Sequence, residues 1–361
     1  MNTHVSVLGN LKIPLCFLPS GNLVYYSNGI VEVMKEEKSI LQMCLPISTK
    51  EKFFGKFRYL SRLFRLGIRT AEALNESHIV YSKGNMIHEI DLANGSVSKG
   101  YYCGEGIRPL KFTVVKDIKG FDDGLYFGGY RSNPNKESVY VYKRVCEDNW
   151  EIIYSFPKGA INHVHTIVSD PFRQCLWIFT GDFEESAAIW KVTNNFKNVE
   201  RIACNNQKFR GCVVFALPEG LLYATDAPFA SNHLYLMNTD TYCIIDLKEI
   251  DGSCIYGCQW KDNFVFSSTV EPDGRYGGRL TTLFGRKRGA GIKDEYVHMY
   301  CGNVKNGFRE IYKEKKDRLP YASFQFGVFK FPYGVNNTGS LYFQPIATQK
   351  NDLKLLKYYT K

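Results

Sequence analysis

Residues 23–34, LVYYSNGIVEVM, read as two short apolar strands joined by the hairpin signal Ser27-Asn28-Gly29. The same text recurs along the chain. The first strand of each visible pair reads Leu23–Tyr26, Ile79–Tyr81, Leu125–Phe127, Leu176–Phe179, Leu222–Ala224, Phe264–Phe266 and, more loosely, Phe324–Val328. Successive starts lie about 42 to 60 residues apart, and a period near 50 built from β signals alone predicts a β-propeller. The units fall at 14–46, 70–102, 108–157, 162–203, 208–247, 253–313 and 321–360, which gives seven blades. Six is the alternative if the first and last segments share a blade to close the ring. No linker rich in Pro, Gly or Ser divides the chain, so residues 1–361 are expected to form one all-β propeller domain.

Composition supports strands over helices. Of 361 residues, 44% are apolar and 15% aromatic, enough for a large core and too much for a disordered chain. The formal net charge of +10 points to an anionic partner: an acidic glycan, a membrane surface or nucleic acid. The basic tip Arg286-Lys287-Arg288 is too short to signal nucleic acid, and none is expected. The 11 cysteines contain no CxxC pair; Cys16, Cys175, Cys212 and Cys243 sit in strand-like runs, and Cys254 and Cys258 lack the partners of a zinc motif. Free thiols fit a reducing compartment. The N-terminus lacks a signal peptide and no stretch of 18 apolar residues occurs, so a cytoplasmic location is expected.

One segment breaks the β pattern. Residues 50–69, KEKFFGKFRYLSRLFRLGIR, form a helical insert with seven basic residues and one acid. Phe53, Phe57, Leu60 and Phe64 recur at helical spacing, as do Arg58, Arg62, Arg65 and Arg69, on different sides of the helix. Two placements follow. The insert packs its apolar stripe on the propeller and solvates its basic face, or it lies on an anionic membrane as a peripheral contact.

A propeller gathers loops at one mouth, where ligands bind. Two repeat positions there carry polar residues. The loops leaving the second strands supply Tyr130 and Arg131, then Asp182, Asp226 and Glu271; the run-ins to the inner strands supply Arg108, His163 with His165, and Arg210. Carboxylates at equivalent places can serve as acid, base or nucleophile on a glycosidic bond, and arginines can clamp a carboxylate or phosphate. Asp182, Asp226, Glu271 and His165 are therefore the candidate catalytic residues. Arg108, Tyr130, Arg131, His163, Arg210, Arg275 and Arg279 are the candidate ligand-binding residues, with 271–279 as a glycine-rich candidate lid. His163 and His165 can also share a metal with Asp182; the primary reading assigns no metal and no cofactor. Walker, GxSxG and HExxH motifs are all missing.

Ser138–Tyr142 followed by Trp150–Tyr154, and Ala188–Phe196, resemble the strand, box and strand of the sialidase-like propellers built from Asp-box repeats. The boxes are degenerate. Lys143, Val145 and Glu147 stand at the box Ser, Asp and Gly positions of the first copy; Asn194 and Val199 replace the Asp and Trp of the second. The resemblance implies a propeller acting on carbohydrate. The family's arginine triad, Tyr/Glu pair and Asp acid match no position here residue by residue.

The expectation is thus a carbohydrate-binding or carbohydrate-processing propeller that acts on an acidic or lipid-linked glycan in surface polysaccharide metabolism. Whether it is an enzyme stays open. Two alternatives are a non-enzymatic protein-interaction propeller and a metal-dependent glycan lyase or hydrolase.

Overall fold

In the computed structural model, which describes residues 3–182, 184–273 and 284–360, the hairpin at 23–34 forms as read. Ser27 pairs with Ile30, and Asn28 and Gly29 take φ of 44° and 90°. A two-residue hairpin turn needs this left-handed backbone, which Asn and Gly adopt at low cost.

Seven antiparallel sheets follow one another around a ring. Blade 1 runs Ile13–Phe17, Leu23–Ser27, Ile30–Lys35 and Lys38–Cys44, from the centre outwards. Blade 4 runs His163–Asp170, Cys175–Gly181, Ala188–Thr193 and Asn198–Ala203, and blade 5 runs Gly211–Leu217, Gly220–Thr225, Asn232–Met237 and Ile244–Ile250. Blades 2, 3 and 6 fill 70–102, 108–156 and 254–315 with the same order.

The strands that set the sequence period are the second strands of their blades. The seventh is displaced: Phe324 ends a short helix, Tyr321–Phe324, and Val328–Lys330 is the innermost strand, with Leu341–Ile346 second.

Ring closure preserves the count of seven. Blade 7 takes its outer strand from the other end of the chain: Thr3–Asn10 pairs antiparallel with Lys354–Thr360, from Thr3 opposite Thr360 to Asn10 opposite Lys354. The pairing covers an edge that would otherwise expose its backbone donors and acceptors.

The core lies between neighbouring blades. Trp177 and Phe179 of blade 4 meet Val214, Leu221 and Tyr223 of blade 5, all buried. Phe127 and Tyr142 stack at 4.5 Å beside Trp150 in blade 3. These aromatics account for much of the composition noted above. Buried rings of this size each contribute roughly 1.5–3 kcal/mol of transfer free energy.

The insert is helical but in two pieces, Thr49–Phe54 and Arg58–Leu63. Ser48 caps the first, its Oγ accepting from Glu51 N at 3.1 Å. The chain bends at Gly55–Phe57, where a Cβ on Gly55 would come within 2.2 Å of Asn28 Oδ1. Its orientation corrects the expectation of a buried apolar stripe and a solvated basic face. Phe53, Phe57, Tyr59 and Phe64 are exposed, whereas Arg62 is 1% exposed and pairs with Asp317 and Asp352. Arg62 and Arg65 also donate to the carbonyls of Phe324 (2.9 Å) and Ala322 (3.0 Å). Arg62 turns inward because Asp317 and the Phe324 carbonyl of the blade 6–7 connection, and Asp352 of blade 7, pair with it there, while Arg65 stays exposed.

Candidate functional site at the channel mouth

Inner-strand starts and second-strand ends pair at one face of the ring: His163 with Gly181, Gly211 with Thr225, Cys254 with Ser268, and Arg108 with Tyr130. Just inside, a β-bulge recurs in the inner strands of blades 1, 4, 5 and 6, and the residues left without a ladder partner are Leu15, His165, Cys212 and Ile255. A bulge re-aims its side chain. In blade 4 it turns His165 back towards His163. A Cβ at Gly181 would lie 2.3 Å from His165 Nε2, so the glycine leaves the space that the ring occupies.

The polar residues converge on Asp182. Its Oδ1 is 3.2 Å from His163 Nε2, 3.4 Å from His165 Nε2 and 3.0 Å from Arg210 Nη2. The two Nε2 atoms are 3.0 Å apart. Arg210 Nη2 also lies 3.3 Å from Asp226 Oδ2, which accepts from the Cys212 thiol at 3.4 Å. The Asp182 main chain is held as well: Asn162 Oδ1 accepts from its N at 3.2 Å, and its carbonyl accepts from Gln207 and Arg210. Tyr130 lies over His163 with ring centroids 4.3 Å apart.

These contacts fix the charges. Burial disfavours the Asp182 carboxylate, but the His163 and His165 side chains and the charge of Arg210 outweigh it and hold the carboxyl well below the usual range. Burial also opposes the Arg210 charge, and Asp226 and Asp182 reverse that effect. Glu271 goes the other way. Burial and then the repulsion of Asp226 push its carboxyl from 4.5 up to about 7, against a hydrogen bond from Thr269. Acids with divergent proton affinities therefore share this mouth. Burial lowers the His165 imidazolium below its ordinary value, partly offset by Asp182.

Beside this cluster, a cavity of about 440 Å³ lies between the insert and the strand ends. Arg62, Arg65, Arg69, Arg108 and Lys330 line it, against a single carboxylate among the described residues, Glu51. Glu51 is engaged by Lys83 at 2.7 Å, and Arg62 by its two aspartates. Arg65, Arg69 and Arg108 thus face one another. Burial first, and then their mutual repulsion, lowers the proton affinity of Arg65 and Arg108, and the buried Nε of Arg108 has no hydrogen-bond partner among the described residues. Burial and Arg69 bring Lys330 down to about 7. The Arg108 guanidinium lies 5.7 Å from the Tyr130 ring, so Tyr130 joins the cavity to the Asp182 cluster.

The structure brings together Tyr130, His163, His165, Asp182, Arg210 and Asp226, with Glu271 near Asp226 and Arg108 across Tyr130. It does not bring Arg131 in as a ligand-binding cation. The Arg131 side chain lines a crevice with Tyr140 and Tyr142, and only its carbonyl reaches the cluster, 3.0 Å from His163 Nδ1. Arg275 and Arg279, with most of the 271–279 segment, lie outside the described residues. Sequence reasoning missed Cys212, Arg65, Arg69 and Lys330 as parts of the mouth. Cys212 was within reach, since it follows Arg210 by two residues as His165 follows His163. Arg65 and Arg69 were read as one face of a surface helix. Lys330 stands in a three-residue strand with no repeat counterpart.

The sequence matches no protein-family model and no curated protein. Among solved structures the fold is similar to that of U3-55K, with a TM-score of 0.55 and 8% identity over 99% of this chain and 98% of that one. A chain of the nidogen/laminin complex aligns over 74% of this chain and 85% of its own, with a TM-score of 0.45 and 10% identity. At 8% identity the likeness to U3-55K extends to the propeller fold alone.

Proposed function

We propose that this propeller binds a small acidic ligand, of the acidic-glycan class, in the cavity lined by Arg65, Arg69 and Arg108. The supporting observation is the charge imbalance of that cavity: among the described residues, three arginines line it with one carboxylate, Glu51, which Lys83 already engages. Bringing like charges together is unfavourable, and an anionic ligand relieves it through forked hydrogen bonds. The cavity volume falls in the range of small-ligand sites, and Tyr26 and Tyr256 are among its lining residues. The choice of carbohydrate among anions rests on the sequence resemblance to Asp-box propellers alone. The eleven unpaired thiols support a reducing, cytoplasmic setting.

A glycan array tests the reading. Uronic-acid and sialic-acid glycans are expected to bind, neutral counterparts not, and Arg69→Ala and Arg108→Ala to abolish the signal. Equal binding of neutral glycans, or two variants that bind like the wild type, would remove it.

The outward aromatic side of the insert favours peripheral membrane contact as well. Phe53, Phe57 and Phe64 are 56%, 47% and 50% exposed, and Lys50, Lys52 and Lys56 flank them. An aromatic patch rimmed with lysines fits an anionic bilayer surface. Vesicles of phosphatidylserine and phosphatidylcholine are expected to sediment the protein, and Phe53→Ser/Phe57→Ser to release it. Equal recovery with pure phosphatidylcholine, or none with either, would overturn this and leave the patch to a protein partner.

A further inference from the structure

His163 has its tautomer set by its neighbour. The Arg131 carbonyl can only accept, so the contact at 3.0 Å puts a proton on Nδ1. In the neutral ring, Nε2 then carries a lone pair. That lone pair faces two further electron-rich atoms: Asp182 Oδ1 at 3.2 Å and His165 Nε2 at 3.0 Å. The third edge, from His165 Nε2 to Asp182 Oδ1, is 3.4 Å. Three donor atoms thus form a closed triangle at the end of blade 4. A proton placed on any edge satisfies that edge and leaves the others.

We propose that His163 Nε2, His165 Nε2 and Asp182 Oδ1 are three ligands of one divalent transition-metal ion, with zinc the best match to the donors. Bonds of 2.0–2.1 Å to an ion in tetrahedral geometry put neighbouring ligand atoms about 3.3–3.4 Å apart. The observed edges of 3.0, 3.2 and 3.4 Å describe one face of such a tetrahedron, a little contracted. Two imidazoles and a carboxylate suit zinc and its first-row neighbours.

The surroundings agree with the assignment. A ligating histidine typically donates its other nitrogen to a carbonyl or carboxylate, as His163 does to Arg131. Asn162 and Gln207 hold the Asp182 main chain. The histidine side chains are 4% and 1% exposed, but that of Asp182 is 32% exposed, so an ion has a route in and a fourth position open to water or ligand. Arg210 is the opposing charge, 3.0 Å from the same oxygen. It is shared with Asp226, so the two carboxylates leave one negative charge for a bound cation to balance. No neighbour fixes the His165 tautomer from the Nδ1 side, which is buried without a hydrogen-bond partner among the described residues. The assignment departs from the sequence-based expectation of no metal. It stands on the Asp182 cluster, independently of the arginine cavity and its ligand.

Metal content and spectroscopy test it without any assay of glycan binding. After chelation and reconstitution with Co²⁺, the wild type is expected to hold about one equivalent and show the intense visible bands of four- or five-coordinate cobalt. X-ray absorption of the Zn²⁺ form is expected to show two imidazole ligands. D182N and H163Q are expected to bind at least about 100-fold more weakly, beyond the loss typical of an outer-sphere change. Zn²⁺ should raise the wild-type unfolding midpoint and leave the D182N midpoint in place. A wild type without cobalt bands at saturating metal, a first shell with thiolate sulfur from Cys212, or D182N binding equal to wild type would each overturn the proposal. The first two outcomes need no variant to fold.

Discussion

Arg62 Nη1 lies 3.0 Å from Asp352 Oδ2, joining residues 290 positions apart and tying the insert to the last blade. Both side chains are fully buried, and Asp317 completes the pairing. The contact turns Arg62 inward as part of the wall of the arginine cavity, while Phe53, Phe57 and Phe64 stay exposed. Removing one partner of a buried ion pair strands the other charge, at a cost of about 3–5 kcal/mol. Arg62→Ala is expected to lower stability by that order in a denaturant titration, and to speed amide exchange over residues 49–66. Unchanged exchange there would mean that the segment is held by other contacts.

Arg210 plays the corresponding role in blade 5. It bridges Asp182 and Asp226 at 3.0 and 3.3 Å, with 8% of its side chain exposed. Arg210→Met is expected to destabilise the fold by about 3 kcal/mol or more. Asp226→Asn in the same background should recover part of the loss, because it removes the stranded charge. A double-mutant cycle with zero coupling would contradict the bridge.

Glu271 gives the pH dependence a sign. Its carboxyl is raised from 4.5 to about 7 by burial and by Asp226. Between those values the folded state holds more protons than the unfolded one. The contribution of Glu271 to stability is therefore full below about pH 4.5 and lost as pH rises through about 7. Glu271→Gln is expected to be less sensitive than wild type over that window. Parallel curves from pH 4.5 to 7, read from chemical denaturation, would refute the raised value.

Lys330 acts in the opposite sense. It is lowered to about 7 by burial and by Arg69, and an anion beside it favours the charged form. Affinity for an acidic ligand is expected to rise as pH falls from 8 to 6, with a proton taken up on binding. Lys330→Met should flatten that profile, as measured by calorimetry in buffers of different ionisation enthalpy.

The blades were legible because hairpins announce themselves locally. Asn28-Gly29 permits one kind of turn, and strands with Leu, Val, Ile, Tyr and Phe on both sides of it pair without further information. Inner strands were less visible. Ile13–Phe17 holds Pro14, and Thr113–Val115 and Val328–Lys330 are three residues long. The closing strand Thr3–Asn10 finds its partner at the far end of the chain, so no local signal announces it. The same limit applied to the site. Equivalent repeat positions brought Asp182, Asp226, His163, His165 and Arg210 into view, whereas Cys212 enters through a bulge, which is a property of the ladder. The amphipathic insert showed two faces; which one is buried depended on Asp317 and Asp352, more than 250 residues away.

The central claim is that the arginine cavity seats an acidic group, and one calorimetric comparison tests it directly. A glucuronate-terminated trisaccharide and its carboxyl-reduced analogue, identical but for the charge, are titrated into the wild type and into Arg69→Ala/Arg108→Ala. The account predicts binding of the acidic form at least about tenfold tighter than the reduced form, a difference of about 1.4 kcal/mol, and its loss in the variant. Equal affinity for the two sugars, or binding of the acidic one that the variant retains, would contradict it.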